Sequence, residues 1–296
     1  MNVDVIDVFR PRSLRELSRM VARVRGARRF VAGGTDLVVK AKDGKLAPAT
    51  WIDVAQIREL RGISETRGSV VIGAATPYTE IIESKVVRRV LPALVEACAE
   101  IGSVQIRNMG TLGGNLANAS PAADGVVPLV AYDAEVVIQR GARKRVIPAV
   151  DIATGPGRSC LGQDELITEI RLAKRRRNIA AFLKLGPRAS MAIAKVSLAL
   201  VADLRRGRLS DVRIALGAVA PTVIRATHAE AILEGNILSH DVIARARVAI
   251  AESDAIPITD FRSTAAYRRA MCAVLLGRAL RVNSDDVGRS GHNPLR

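Results

Sequence analysis

Leu14, Leu17, Met20, Val21 and Val24 fall at helical spacing behind Ser13, and Glu16 completes a capping box. Short apolar runs at 28–32 and 50–54 predict strands, and residues 69–74 alternate as another. Thr76 is placed to cap a short helix that begins at Pro77. Val87, Leu91, Leu94, Val95 and Cys98 predict a long helix over 86–100. Residues 134–139 and 144–147 read as a hairpin around Arg140-Gly141-Ala142, 166–172 as a strand, and Thr154-Gly155-Pro156-Gly157 as a turn. Beyond residue 178, segments 181–185, 191–204 and 211–219 predict three strands, with a turn at Arg206-Gly207-Arg208 between the last two. Helices follow at 226–234, 239–252 and 260–281, the last capped by Asp260 or Ser263. The pattern divides the chain into units at 1–57, 58–176 and 177–282, with a polar, disordered tail over 283–296.

One stretch departs from these rhythms. Residues 101–124, IGSVQIRNMGTLGGNLANASPAAD, form a long polar segment between the helical pattern ending near Cys98 and the apolar run 126–130. Such a length is unusual for a simple connector. At its centre, Thr111-Leu112-Gly113-Gly114-Asn115 carries paired glycines, which permit positive φ and close backbone approach. Exposed N–H groups in such a turn form a concavity suited to a phosphate, and Arg107 and Asn108 add a cation and an amide. A second loop has the same character: strand residues Phe30-Val31-Ala32 run into Gly33-Gly34-Thr35-Asp36 and then the apolar Leu37-Val38-Val39. Paired glycines usually mark only a turn. Two such loops, with Arg107 and Asp124 flanking, suggest two walls of one diphosphate site. Neither contains the G-x-G-x-x-G fingerprint of the doubly wound dinucleotide fold.

Composition narrows the classes. The 296 residues exceed what one core usually holds, and with 49% hydrophobic but only 3% aromatic residues the cores must be aliphatic. The net charge of +16 suits nucleic acid, an anionic surface or an acidic partner. The cations are scattered, apart from Lys174-Arg175-Arg176-Arg177, and lack the interleaved aromatics that stack bases, so docking to acidic partner subunits is favoured over nucleic acid. Cys98, Cys160 and Cys272 are far apart with no CxxC, which argues against a metal or iron–sulfur cluster in this chain and suits a reducing cytoplasm. Asp4 and Asp7 exclude an ordinary signal peptide, and no apolar run is long enough to span a membrane. His228, His240 and His292 lie far from the glycine loops, and Ser120 has no histidine near it in sequence, so no hydrolytic centre is expected. Trp51 reads as a packing residue. What remains is a large phosphate-bearing cofactor that carries the chemistry.

In order, Ala32-Gly33-Gly34-Thr35-Asp36-Leu37, Ile72-Gly73-Ala74, Gln105-Ile106-Arg107-Asn108, Thr111-Leu112-Gly113-Gly114-Asn115 and Ser120-Pro121-Ala122-Ala123-Asp124 resemble the FAD-binding medium subunit of the molybdenum hydroxylases. That family includes xanthine dehydrogenase, carbon monoxide dehydrogenase, and the nicotine and quinoline dehydrogenases. The resemblance spans residues 3 to 281. It implies an α+β chain: a two-part N-terminal FAD-binding domain of the vanillyl-alcohol-oxidase (PCMH) type, then a C-terminal domain of three-stranded antiparallel sheet plus helical bundle.

By position, the resemblance implies that Val31, Ala32, Gly33, Gly34, Thr35, Asp36 and Leu37 and the second loop, Thr111, Leu112, Gly113, Gly114 and Asn115, clasp the FAD pyrophosphate. Asp124 matches a position that hydrogen-bonds the FAD. Ile101 falls where an apolar side chain faces the isoalloxazine ring, where many relatives carry an aromatic. Ile167 lies on a strand lining the cofactor. Lys184 matches a lysine near the flavin that would favour its anionic reduced form; the competing reading is a solvated strand lysine. Gly102, Ser103 and Arg107 support the wall.

The implied role is electron transfer. A molybdenum cofactor on a large partner subunit oxidises substrate, two [2Fe–2S] clusters on a small subunit pass electrons to this FAD, and NAD+ or another acceptor takes them up, in a dimer of heterotrimers. Thr154-Gly155-Pro156-Gly157, Ala220-Pro221-Thr222, Ile224-Arg225 and His228-Ala229-Glu230 favour the bacterial purine (xanthine) dehydrogenases. Two alternatives stand beside this: a stand-alone FAD oxidase, for which no base is visible, and a basic adaptor that binds nucleic acid or an acidic protein.

Overall fold

The computed structural model describes residues 5–286. The first sheet is small and wholly parallel, in the order β1-β3-β2, from β1 (Val5–Phe9), β2 (Arg28–Val31) and β3 (Ala49–Asp53). Between them run α1 (Leu14–Val21) and α2 (Leu37–Lys42). The Ser13 hydroxyl accepts from the Glu16 amide, and the Glu16 carboxylate accepts from the Arg12 amide. The capping box therefore reaches back one residue further than the usual form. Trp51, 8% exposed, packs with Val31, Leu37 and Leu46 and is a core residue.

The second sheet is antiparallel, in the order β4-β5-β10-β6-β7, from β4 (Ile63–Glu65), β5 (Ser69–Gly73), β6 (Glu135–Arg140), β7 (Arg143–Pro148) and β10 (Leu166–Ala173). A short ribbon, β8 (Ala153–Gly155) and β9 (Arg158–Ser159), lies outside it. Between β5 and β6 come six helices: α3 (Tyr78–Glu83), α4 (Lys85–Val90), α5 (Pro92–Ala99), α6 (Val104–Met109), α7 (Leu112–Asn118) and α8 (Val126–Ala131). Three expectations are corrected here. The helix over 86–100 is two, because Pro92 lacks the N–H a continuous helix needs and begins α5 at its first turn. The polar stretch 101–124 is not an open loop: Ser103 caps α6 and Thr111 caps α7. Thr76 caps nothing; its hydroxyl bonds both the N–H and the carbonyl of Gly62.

The third sheet is antiparallel, from β11 (Ile179–Leu185), β12 (Val196–Arg205), β13 (Arg208–Gly217) and β14 (Ile224–Arg225), followed by α9 (Thr227–Leu233), α10 (His240–Ala249) and α11 (Ala265–Asp286). It has four strands rather than three, since the two-residue β14 is too short to show as a pattern. Nor does it stand apart. Leu198, Leu200 and Ile214 face the helices behind, whereas Phe182, Ala199, Val201 and Ala215 belong to the core of α5 and α8. Covered on both faces, β12 is buried from Val196 to Leu204 and reads as a continuous apolar run over 198–202, without alternation. Thr264, not Asp260 or Ser263, caps α11, accepting from the Tyr267 amide; the Asp260 carboxylate accepts from the Arg262 and Ser263 amides in the preceding turn. Residues 283–286, read as tail, continue α11, and the remainder of that tail lies outside the described residues.

Candidate functional site

The first glycine loop leaves the end of β2, where the parallel sheet opens toward the antiparallel one. Gly34 turns the chain at φ +69°, which favours glycine. A Cβ on Gly33 would lie 1.8 Å from the Met109 carbonyl oxygen, so this loop packs backbone to backbone on the end of α6. Among the described residues, the amides of Gly34, Thr35 and Asp36 have no protein acceptor. They are three adjacent donors available to an anion.

The second glycine pair stands against the first across a cleft but is built differently. Gly113 lies on Ala74: an added Cβ would be 2.6 Å from the Ala74 Cβ and carbonyl oxygen. Its amide donates to Ala74 O (2.9 Å), Gly114 N donates to Thr111 Oγ1 (3.2 Å) and Asn115 N to Thr111 O (3.0 Å). The donors expected of this loop are spent on capping α7. What it offers is bare backbone surface at Gly114, the Thr111 hydroxyl proton and the Asn115 side chain.

Between the two lies a polar cleft of about 340 Å³, lined by Gly33, Gly34, Thr35, Asp36, Thr111 and Asn115 among others. It continues into a mainly apolar lobe of about 320 Å³ bounded by Leu37, Leu60, Ala75, Gly113, Leu161 and Ile167. A break in register between Ile167 and Glu169 locally disrupts β10 where Ile167 meets this lobe. Arg29, Phe30, Ala32, Leu37 and Gly114 line both lobes; Val31 lines the polar one. Leu112 lines neither. It is wholly buried in the central core, because α7 turns that position inward, and its assignment to the cofactor wall is corrected.

Sequence reasoning missed Arg29, Tyr78, Lys40 and Asn118. Arg29 Nε is buried with no partner among the described residues. Tyr78 is 4% exposed and its ring fills the space a side chain on Gly110 would need, 2.8 Å from the added Cβ. Lys40 Nζ donates to Asn118 Oδ1 at 2.6 Å, joining α2 to α7 across the cleft. The signal for Arg29 was present as a cation within the strand that runs into the first glycine turn.

A third group sits beside Asn115. A Cβ on Gly125 would meet Asn115 Oδ1 at 2.8 Å and Ile101 Cδ1 at 3.5 Å, so Ile101, Asn115 and the residue after Asp124 converge. Lys184 Nζ donates to Asp124 Oδ2 (2.6 Å) and to Glu100 O (3.1 Å), with side chains 5% and 8% exposed. The solvated reading of Lys184 is thereby excluded. Burial pushes the Asp124 carboxyl up to about 6, and the Lys184 charge only partly offsets it. Among the described residues, Asp124 Oδ1 and Asn115 Oδ1 are both buried without a partner, which native interiors seldom tolerate unless a ligand or water completes them. Gly102, at φ +50°, turns the chain into α6, Ser103 caps that helix, and Arg107 donates to the Ile101 carbonyl (3.0 Å); none of the three lines either lobe of the cleft.

Cleft, open amides and orphaned acceptors suit a long ligand with anionic and aromatic parts. Comparison with known proteins agrees. Residues 4–174 match the model described as the FAD binding domain in molybdopterin dehydrogenase. The chain belongs to the FAD-binding medium subunits of the molybdenum hydroxylase family. Residues 181–282 match the CO dehydrogenase flavoprotein C-terminal domain. The xanthine dehydrogenase FAD-binding subunit of Escherichia coli O157:H7 is 33% identical over 246 residues, covering 81% of this chain and 83% of that one. The carbon monoxide dehydrogenase medium chain of Hydrogenophaga pseudoflava is 32% identical over 273 residues, covering 91% and 94%. A solved structure of the carbon monoxide dehydrogenase from that organism, lacking the Mo-pyranopterin moiety, superposes with a TM-score of 0.90 at 32% identity over 96% of this chain and 99% of that one. The chain is thus an FAD-binding subunit of an oxidoreductase. No helix among the described residues is long and apolar enough to cross a membrane.

Proposed function

We propose that this chain is the cytoplasmic electron relay of a molybdenum hydroxylase, receiving electrons from [2Fe–2S] clusters on a small partner subunit and delivering them to NAD+ or another acceptor. A large subunit with the molybdenum cofactor carries substrate oxidation, and the assembly is a dimer of heterotrimers. When bound, FAD supplies the junction between one-electron donors and a two-electron acceptor. The chain's own residues hold it. The open amides of residues 34–36 take the diphosphate, assisted by the Thr111 hydroxyl and Asn115. The apolar lobe at Leu37, Leu161 and Ile167 takes the adenine. Ile101 would pack against the flavin ring, and the unpartnered Asp124 Oδ1 would accept a hydrogen bond from it, with Lys184 paired to the other carboxylate oxygen. The division at 1–57, 58–176 and 177–282 gives the cofactor two walls and a third unit behind its ring end.

The observation that carries this reading is the convergence of both glycine loops on one cleft lined by Asn115, whose Oδ1, like that of nearby Asp124, is buried with no partner among the described residues. Purified chain should be yellow, with FAD released on denaturation at a ratio near one per chain; a colourless protein that takes up no FAD overturns the reading. Turnover with oxygen alone, without partner chains, would point instead to a stand-alone oxidase.

We further propose purine as the substrate class, on the C-terminal motifs quoted above. Relatives of similar identity are named for xanthine, glyceraldehyde, carbon monoxide and nicotinate dehydrogenases, so the choice is tested directly. Xanthine or hypoxanthine added anaerobically to the purified complex should bleach the flavin band; bleaching by another of these substrates and not by purines contradicts the assignment.

A further inference from the structure

Tyr78 and Tyr132 are both 4% exposed, yet their hydroxyls differ. That of Tyr132 accepts from the Ala93 amide (3.4 Å). That of Tyr78 has no hydrogen-bond partner among the described residues. A buried tyrosine normally finds one, in protein or in a ligand. The Tyr78 ring packs into the central core, while the residue also lines the polar cleft, together with Gly34, Thr35, Asp36, Thr111 and Asn115. Its hydroxyl oxygen is not sealed from solvent, so it opens on that cleft.

The position is fixed on both sides. Tyr78 N donates to Gly110 O (3.1 Å), Pro77 bridges to Thr111, and the Thr79 hydroxyl donates to Asn108 Oδ1 (2.5 Å). A Cβ on Gly110 would lie 2.8 Å from Tyr78 Cε2, so glycine lets the ring edge rest on that backbone. A Cβ on Gly33 would lie 3.0 Å from Gly110 Cα. The ring therefore stands across Gly110 from the first glycine loop, whose open amides are the donors for a diphosphate. Burial holds the Tyr78 hydroxyl well above its ordinary pKa, and Cys98, Asp36 and Asp124 push the same way. It stays protonated, and a protonated hydroxyl can donate. Asp36 closes the first loop and Asp124 belongs to the ring end, so the hydroxyl is within electrostatic reach of both. Tyr78 does not line the apolar lobe assigned to adenine.

Resting on the FAD reading above, we infer that Tyr78 is a cofactor-binding residue whose hydroxyl donates to the flavin-side phosphate of the diphosphate. The partner it lacks within the protein is then an anionic oxygen, to which a hydroxyl makes a short and strong bond. The amides of residues 34–36 hold the diphosphate from one side of Gly110 and the hydroxyl from the other.

The test compares the full-length parent with Tyr78→Phe, which keeps the ring and removes only the hydroxyl. FAD binding to the flavin-free chain, followed by flavin fluorescence, should weaken at least tenfold. The denaturation midpoint of the flavin-free variant should equal or exceed the parent's, because the hydroxyl has no protein bond to lose. A lowered midpoint would show that the hydroxyl serves the fold and overturns the proposal, as does unchanged FAD affinity. Fragments of the cofactor then locate the contact. FMN binding should weaken by the same factor as FAD, while displacement of FAD by AMP or by riboflavin, which lack the flavin-side phosphate, should not change. A loss shared by AMP or by riboflavin, or an FMN affinity equal to the parent's, overturns the assignment to that phosphate. A parent that binds FAD beside a variant that binds it equally well sinks only the role of Tyr78; a parent that takes up no FAD sinks the FAD reading and this role together.

Discussion

At residues 33–34 the chain turns through Gly34 at φ +69° with three amides left open; at residues 113–114 the φ values are ordinary and the amides are all bonded inside the protein. Both pairs read as Gly-Gly after a strand or polar turn. The first glycine of each is required by crowding, against the Met109 carbonyl in one case and Ala74 in the other. The second differs in kind: Gly34 serves backbone conformation, whereas Gly114 lies only 2.9 Å from Thr111 Oγ1 through its would-be Cβ and leaves a bare surface toward the cleft. One loop therefore supplies donors and the other supplies proximity. Paired glycines in a sequence mark where backbone must come close, not which partner it meets there.

The contrast can be broken experimentally. The largest effect belongs to Gly33→Ala. A Cβ at 1.8 Å from a backbone oxygen cannot be absorbed by a side-chain shift, so the loop must leave α6, at a cost of about 3 kcal/mol or more. Chemical denaturation should show this together with loss of flavin. A variant of near-parental stability that stays yellow would refute the packing described.

Next comes the carboxylate beyond the second loop. The Asp124 carboxyl sits at about 6 when folded, against an ordinary 3.8. A raised acid pKa means that the folded state binds more protons than the unfolded state in this interval, so the contribution of Asp124 to stability falls as pH rises from about 4 to about 6. At 1.36 kcal/mol per unit, this amounts to up to about 3 kcal/mol. The difference in unfolding free energy between Asp124→Asn and the parent flavin-free chain should therefore move in favour of the variant over that interval. A difference independent of pH would show that Asp124 is not held protonated by burial.

Gly113→Ala, pressing on Ala74 at 2.6 Å, should cost about 2 kcal/mol by thermal denaturation while the open amides of residues 34–36 still retain flavin. The smallest effect is that of Gly34→Ala, where left-handed backbone and a 3.1 Å contact to Val38 cost about 1 kcal/mol. Its flavin affinity should nevertheless fall further than that of Gly113→Ala, because it disturbs the donors. The reverse ranking of affinities would exchange the roles assigned to the two loops.

Much of this was legible in the residues. The apolar runs marked β2, β3, β5, β6, β7 and β10, and the two glycine pairs singled out in the sequence lie on one cleft. The helices α2, α6 and α7 were hidden because each is short and opens on aspartate, serine or threonine, residues that equally signal a turn. The dependence of the third sheet on α5 and α8 was hidden because burial on both faces erases the alternation that would show an inner and an outer side. Which amides are free follows from tertiary bonds such as that from Gly113 N to Ala74 O, and no spacing encodes those. The same holds for the Asp124–Lys184 pair, which joins residues 60 apart.

The most direct test is a crystal structure of the FAD-loaded chain, read at the diphosphate. The phosphate oxygens should accept from the amides of Gly34, Thr35 and Asp36, with Thr111 and Asn115 touching them through side chains. A diphosphate bound by the amides of Gly113, Gly114 and Asn115, with residues 34–36 facing solvent, would contradict it.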